Sequence, residues 1–155
     1  MKFFFITEGI MILEIVKAGN SILRQQAKEV SDVLDPEIQK LIDDMEETLA
    51  SEKKGVGLAA PQVGRSLRII SVKTADFTEV LINPVIVERH SLEKIAKERC
   101  LSIPSVEKKV RRSRKITVWY LTREGFELQL TLKDFSARVV QHEVDHLNGV
   151  LLTDK

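Results

Sequence analysis

The chain has 155 residues, 43% hydrophobic and 30% charged, which suits one globular domain with a core of its own and no need of disulfide support. Lys plus Arg number 24 against 23 Asp plus Glu, so a net charge of +1 gives no global attraction to a nucleic acid or an anionic membrane. A single cysteine excludes an internal disulfide, and no apolar run is long enough to span a bilayer, so a cytoplasmic protein is expected.

The chain opens with Met1-Lys2-Phe3-Phe4-Phe5-Ile6, an apolar run shorter than a secretory core. Met11 can serve as the first residue of the domain, which makes residues 1–10 a candidate N-terminal extension of a single domain over 1–155. Residues 12–34 read as extended and turn-rich around Gly19 and Asn20. Asp35-Pro36 then starts a helix: Asp35 can cap the free amides and Pro36 suits the first helical position. Ile38, Leu41, Ile42, Met45 and Leu49 give it one apolar face, and Lys53-Lys54-Gly55 should end it. Gly55 to Gly64 is rich in glycine and alanine and turns sharply. Strands are predicted over 67–73, 80–88, 115–122 and 126–133, the last two joined by Arg123-Glu124-Gly125, with Trp119 and Tyr120 as packing residues. The cations Lys108, Lys109, Arg111, Arg112, Arg114 and Lys115 read as a solvated strand edge rather than as a patch for an acidic or RNA partner. Ala137, Val140, Val144 and Leu147 mark a last helix stopped by Gly149. The expected class is α+β: mixed or antiparallel strands packed around the C-terminal helix, with the N-terminal helix on the outside.

Two of the chain's three histidines fall in His142-Glu143-Val144-Asp145-His146, inside that last helix. Residues four apart share a helix face, so both rings can serve one metal ion. Glu143 is placed to take a proton from the water such an ion activates. His90, at the end of a predicted strand, has no partner pattern and reads as a surface or hydrogen-bonded structural histidine. A hydrolytic site needs a third protein ligand, for which Cys100 is the candidate, although a free thiol is more often a buried inert residue.

Three segments occur in order: Gly55-Val56-Gly57-Leu58-Ala59-Ala60-Pro61-Gln62, Glu98-Arg99-Cys100-Leu101-Ser102 and Gln141-His142-Glu143-Val144-Asp145-His146. Together they resemble the three motifs of the peptide deformylase family, over nearly the whole chain from Ile12 to Leu152. The resemblance implies a hydrolase that removes the N-formyl group from the first methionine of nascent polypeptides and releases formate. It implies Cys100, His142 and His146 as ligands of one divalent ion, Fe²⁺ in the cell, with Ni²⁺, Co²⁺ or Zn²⁺ able to substitute. Glu143 would be general base and then acid. The Gln62 amide and the Leu101 backbone N–H would face the oxyanion. Val56 and Val139 are expected to line the methionine pocket, and Gly57 to let an extended peptide approach as an added strand. Gly57 otherwise merely turns the chain. Glu98 is expected to accept a hydrogen bond from a ligand histidine, and Arg112 to pair with Glu98.

The sequence departs from the family at Arg99, where glycine is usual. If the site needs φ > 0 or close peptide approach, arginine is costly. If glycine only leaves room, Arg99 projects into the cleft mouth and alters which residues are accepted after methionine. The chain stops nine residues after His146, where many bacterial members continue into a helix that helps docking near the ribosome exit. It resembles short forms of phages and organelles. Ribosome contact is then weaker or made elsewhere, and the compartment can be a host cytoplasm or an organelle. No membrane and no specific nucleic acid are expected as partners. Two alternatives stay open: a metallopeptidase, since H-E-x-x-H also occurs in zinc proteases, and a formyl-peptide binder whose catalysis Arg99 impairs.

Overall fold

Asp35 accepts a hydrogen bond from the Glu37 N–H at 2.8 Å and so starts helix α1, Pro36–Ser51. A cap of this kind is worth about 1 kcal/mol. The structure, a computed structural model, describes residues 9–155 and the backbone of residues 3–5. Of the candidate extension over residues 1–10, positions 1, 2 and 6–8 therefore lie outside the described residues. Strands β1 (Phe3–Phe5) and β2 (Met11–Leu13) pair antiparallel, and the β2 main chain is tied to α1 through Asp44 and Thr48.

Seven further strands follow: β3 (Gly57–Ala59), β4 (Ile69–Lys73), β5 (Thr78–Arg89), β6 (Glu93–Cys100), β7 (Ile103–Ser113), β8 (Lys115–Leu121) and β9 (Glu127–Lys133). Five of them form one antiparallel sheet in the order β3-β4-β5-β8-β9, while β6 and β7 form a separate hairpin. Helix α2, Asp134–Leu147, ends the regular structure apart from a short 3₁₀ turn.

The sheet lies between the two helices, as its two-sided burial requires. On one face Leu41, Ile42, Met45 and Leu49 of α1 pack on Leu58, Ile69, Val80 and Ile82. On the other, Ala137, Val140, Val144 and Leu147 of α2 pack on Ile70, Val72, Leu81, Ile116, Val118 and Tyr120. In β8 the buried residues Ile116, Val118 and Tyr120 alternate with half-buried ones, the period-two pattern of a sheet. Arg123, from the β8–β9 turn, binds Asp43 at 2.8 Å and Glu46 at 2.9 Å on α1 and so locks the hairpin to the outer helix. Every strand pairing among the described residues is antiparallel; one isolated parallel bridge joins Lys28 and Leu67, and β4 begins at Ile69, two residues after its predicted start.

The β6–β7 hairpin was not among the predicted strands. Glu93–Cys100 reads E-K-I-A-K-E-R-C, and most of it is exposed, so no apolar alternation announces it. Its buried Glu98 finds charged partners, while Cys100 packs with Ile103 and Val110 of β7 and with Leu23, Leu151 and Leu152. The basic run belongs to this hairpin, but it is not uniformly solvated: Arg112 is buried while Lys109, Arg111 and Arg114 are exposed. Gln141 of α2 clamps the end of β7, accepting from the Ser113 N–H at 3.2 Å and donating to its carbonyl at 2.9 Å. Ser113 stands opposite Glu93, so the clamp holds the start of β6 beside α2, and Glu98, through Arg138 and His142, holds the far part of β6 there, where the site lies.

Candidate metal centre and cleft

Cys100 ends β6, and His142 and His146 lie one turn apart on α2. One potential ligand atom from each of the three buried residues falls within 4.8 Å of the others. Cys100 Sγ lies 3.3 Å from His146 Nε2. The set of one thiolate and two imidazoles, all buried, fits a borderline-soft divalent ion. His146 Nδ1 and Glu143 Oε2 have no hydrogen-bond partner among the described residues. Buried polar atoms left this way are costly unless a bound species uses them.

His142 Nδ1 lies 2.8 Å from Glu98 Oε1, so its N–H can donate to the carboxylate and leave Nε2 for a metal. Glu98 also receives Arg112, through Nε at 2.8 Å and a terminal nitrogen at 2.9 Å, and Arg138. Arg112 reaches on to Asp145 at 2.7 Å. Burial pushes the Glu98 carboxyl up, but the hydrogen bonds from His142 and Arg112 prevail and hold it well below the usual carboxylate range. Burial, helped by the charges of His142 and Arg112, drives the His146 ring down to about 3, so it is a neutral donor near pH 7. For His142 burial works in the same direction, yet the hydrogen bonds with Cys100 and Glu98 outweigh it and raise the ring above its ordinary value. Metal binding at His142 then displaces a proton. Burial pushes the Glu143 carboxyl up to about 7, against the pull of His142 and Arg112. A carboxyl near neutrality can both take and return a proton.

Gln62 sits in the 3₁₀ turn after β3. Its Oε1 accepts from the Ala59 N–H at 2.9 Å, which aims Nε2 at Ser102 Oγ, 3.2 Å away, and at Cys100 Sγ, 3.7 Å away. Leu101 and Ser102 form the tight turn between β6 and β7. The turn is tied down by Lys17 Nζ, 3.1 Å from the Leu101 carbonyl, and by the Ala18 N–H, 3.0 Å from the Ser102 carbonyl.

These residues floor a cleft of about 350 Å³. Val56, Gly57 and Val139 line it, together with Leu101, Pro104 and Phe135. Gly57 does not turn the chain; it lies within β3, and a Cβ there would come within 2.7 Å of Glu143 Oε1 and 2.8 Å of Val139 Cγ1. Arg99 occupies ordinary extended strand: among the described residues only Asn83 and Asp134 are non-glycine positions with positive φ. Its side chain lines the cleft mouth and pairs with Glu107 at 2.8 Å. His90 follows β5, with Nε2 3.7 Å from the Glu88 carboxylate, and takes no part in the cleft.

Sequence reasoning missed Arg138 and Ser102. Arg138 precedes His142 by four positions and so shares its face, a signal that was present but shared by every surface arginine on a helix. The partnership of Ser102 with Gln62 spans forty positions, and nothing local encodes it.

The family model described as polypeptide deformylase matches residues 12–155. The peptide deformylase of Dictyoglomus thermophilum is 48% identical over 145 residues, covering 94% of this chain and 93% of that one. The crystal structure of the Thermotoga maritima peptide deformylase matches with a TM-score of 0.89 at 40% identity, covering 93% of this chain and 97% of that one. The Acinetobacter baumannii class I type b peptide deformylase, in a Met-Ala-Ser-bound crystal structure, gives a TM-score of 0.85 at 37% identity over 92% and 97% of the two chains. With a cysteine and two histidines gathered at and beneath the floor of one cleft, in a fold matched over nearly its full length, the chain belongs to the polypeptide deformylase family, hydrolases that deformylate nascent peptides.

Proposed function

We propose that Cys100, His142 and His146 hold one divalent ion, Fe²⁺ in the cell and replaceable by Ni²⁺, Co²⁺ or Zn²⁺, and that this site removes the formyl group from formyl-methionyl peptides. The observation that carries the reading is the approach of the three ligand atoms to within 4.8 Å beside the buried carboxyl of Glu143. When bound, the ion supplies Lewis acidity and brings the pKa of a water toward neutrality.

Glu143 takes a proton from that water as the water oxygen bonds to the formyl carbon, and the carbonyl electron pair moves onto the formyl oxygen. The Gln62 Nε2–H and the Leu101 N–H are the donors for this oxyanion. The hydrogen bond from the Ala59 N–H holds the Gln62 amide in position beforehand. Glu143 returns the proton to the peptide nitrogen as the C–N bond breaks, and formate and a free methionine N-terminus leave. Val56 and Val139 take the methionine side chain, and Gly57 offers its main chain to the peptide at the edge of β3. The bound Met-Ala-Ser of the A. baumannii structure supports a peptide of this form as the occupant.

Nascent substrates bring the enzyme to the ribosome as a transient partner. No described helix is long and apolar enough to cross a membrane, and a thiolate ligand suits a reducing compartment, which supports the cytoplasm. The test is formate release from formyl-Met-Ala-Ser by protein loaded anaerobically with Fe²⁺ or Ni²⁺. Wild-type turnover, absent in Glu143→Gln at equal metal content, is the expected result. Cleavage of unformylated peptides would instead favour a metallopeptidase. Metal and peptide binding with no formate released would make the protein a binder.

A further inference from the structure

Three cations stand on the wall and mouth of the cleft: Lys54 beyond α1, and Lys97 and Arg99 on β6. Lys97 and Arg99 are two apart on a strand, so they project from the same face, opposite to the buried Glu98. Their side chains are 65% and 66% exposed. Across the hairpin Lys97 stands directly opposite Lys109, a like-charge pair that costs free energy on an exposed sheet. One carboxylate, Glu107, answers both, at 2.8 Å from Arg99 and 3.5 Å from Lys97. The carboxylates that line the cleft itself do not offset this charge. Glu98 is buried and held by Arg112 and Arg138, and Glu143 is buried on the floor. The rim therefore keeps a surplus of positive charge toward solvent.

An extended peptide advances about 3.4 Å per residue, so the second and third residues after the formyl-bearing methionine lie roughly 7–10 Å beyond the methionine Cα. That carries them from the floor at Cys100 toward a rim built by Arg99, its neighbour on the same strand. We infer that this rim selects among formyl-methionyl peptides by charge, favouring acidic side chains in the residues that follow the methionine and disfavouring basic ones. The inference rests on the proposed deformylation at this site. Glu107 tunes it, because a substrate carboxylate replaces Glu107 as a partner of Arg99 without leaving either cation unanswered.

The experiment compares kcat/KM for formate release from formyl-Met-Ala-Glu, formyl-Met-Ala-Gln and formyl-Met-Ala-Lys. All three are amidated at the C-terminus so that only the side-chain charge differs. At low ionic strength the glutamyl peptide is expected to exceed the lysyl peptide by about fivefold, with the glutaminyl peptide between them, since exposed pairs are individually weak. The difference should lie in KM, because the charge is remote from the reacting bond, and it should shrink toward unity in high salt. Arg99→Gly combined with Lys97→Ser should remove most of the ratio, and Arg99→Glu should invert it. Equal values for the three peptides, or a ratio unchanged in the double variant, would overturn the inference while leaving deformylation standing. Release from none of the three would overturn both.

Discussion

Gly57 carries no side chain because two others occupy the space. A methyl group there would meet Glu143 and Val139 at less than 3 Å, and both belong to a helix whose backbone is fixed by the core beneath it. Gly57→Ala is expected to cost about 1–3 kcal/mol in denaturant unfolding through overpacking. It should also displace Glu143 enough to lower kcat by about 100-fold. Gly125→Ala is the control: that glycine has φ +90 and nothing within 4 Å, so the change should cost about 1 kcal/mol through backbone strain and leave formate release unchanged. At this scale much of the site was legible. The two histidines one helical turn apart, the acid between them and the lone cysteine are local or compositional signals. The reason for Gly57 was not legible, because it depends on which helix packs across β3. Nor was the ordinary backbone at Arg99, which a missing glycine alone could not reveal.

Glu98 joins the hairpin to the helix. It lies on β6, and its carboxylate gathers Arg112 from β7 with Arg138 and His142 from α2, all of them buried. Glu98→Gln leaves the buried Arg138 without its carboxylate and Arg112 with Asp145 alone, and should destabilise the fold by about 3 kcal/mol, seen as a shifted denaturation midpoint. It should also weaken metal binding by about 10- to 100-fold, read by competition with a chelating dye, because His142 exchanges a carboxylate acceptor for a weaker amide that Arg112 and Arg138 no longer hold by charge. Both helices and four strands of the central sheet could be read from apolar periodicity. The β6–β7 hairpin could not: its buried face mixes charge pairing at Glu98 with a few apolar residues, Ile103 and Val110, too widely spaced to show alternation, and a run such as Lys108 to Lys115 does not reveal which cation turns inward. The pairing of Glu98 with Arg112 was suggested by the motif that contains Glu98. The part played by Arg138 emerges only when the helix is docked against the strand.

Across the whole molecule, the proposed ligands come from two elements that share little apolar surface. Cys100 ends a hairpin whose outward face is solvated, while His142 and His146 belong to the helix that backs the central sheet. An ion bound to all three staples the hairpin to the core, so part of its binding free energy becomes folding free energy. At free metal about 100 times Kd this linkage is worth about 2.7 kcal/mol. For a chain of this size each kcal/mol moves Tm by about 2–4 °C. Chelation is therefore expected to lower Tm by roughly 5–10 °C. Hydrogen exchange should quicken in residues 93–113 more than in β4 and β5, whose pairing does not depend on the ligands. Cys100→Ser loaded with the same ion should show little change on chelation. If chelation moved its Tm as far as that of the wild type, the ion would be acting elsewhere and the hairpin would be held without it, by the Glu98 ion pairs, the Gln141 clamp and the packing of Ile103 and Val110.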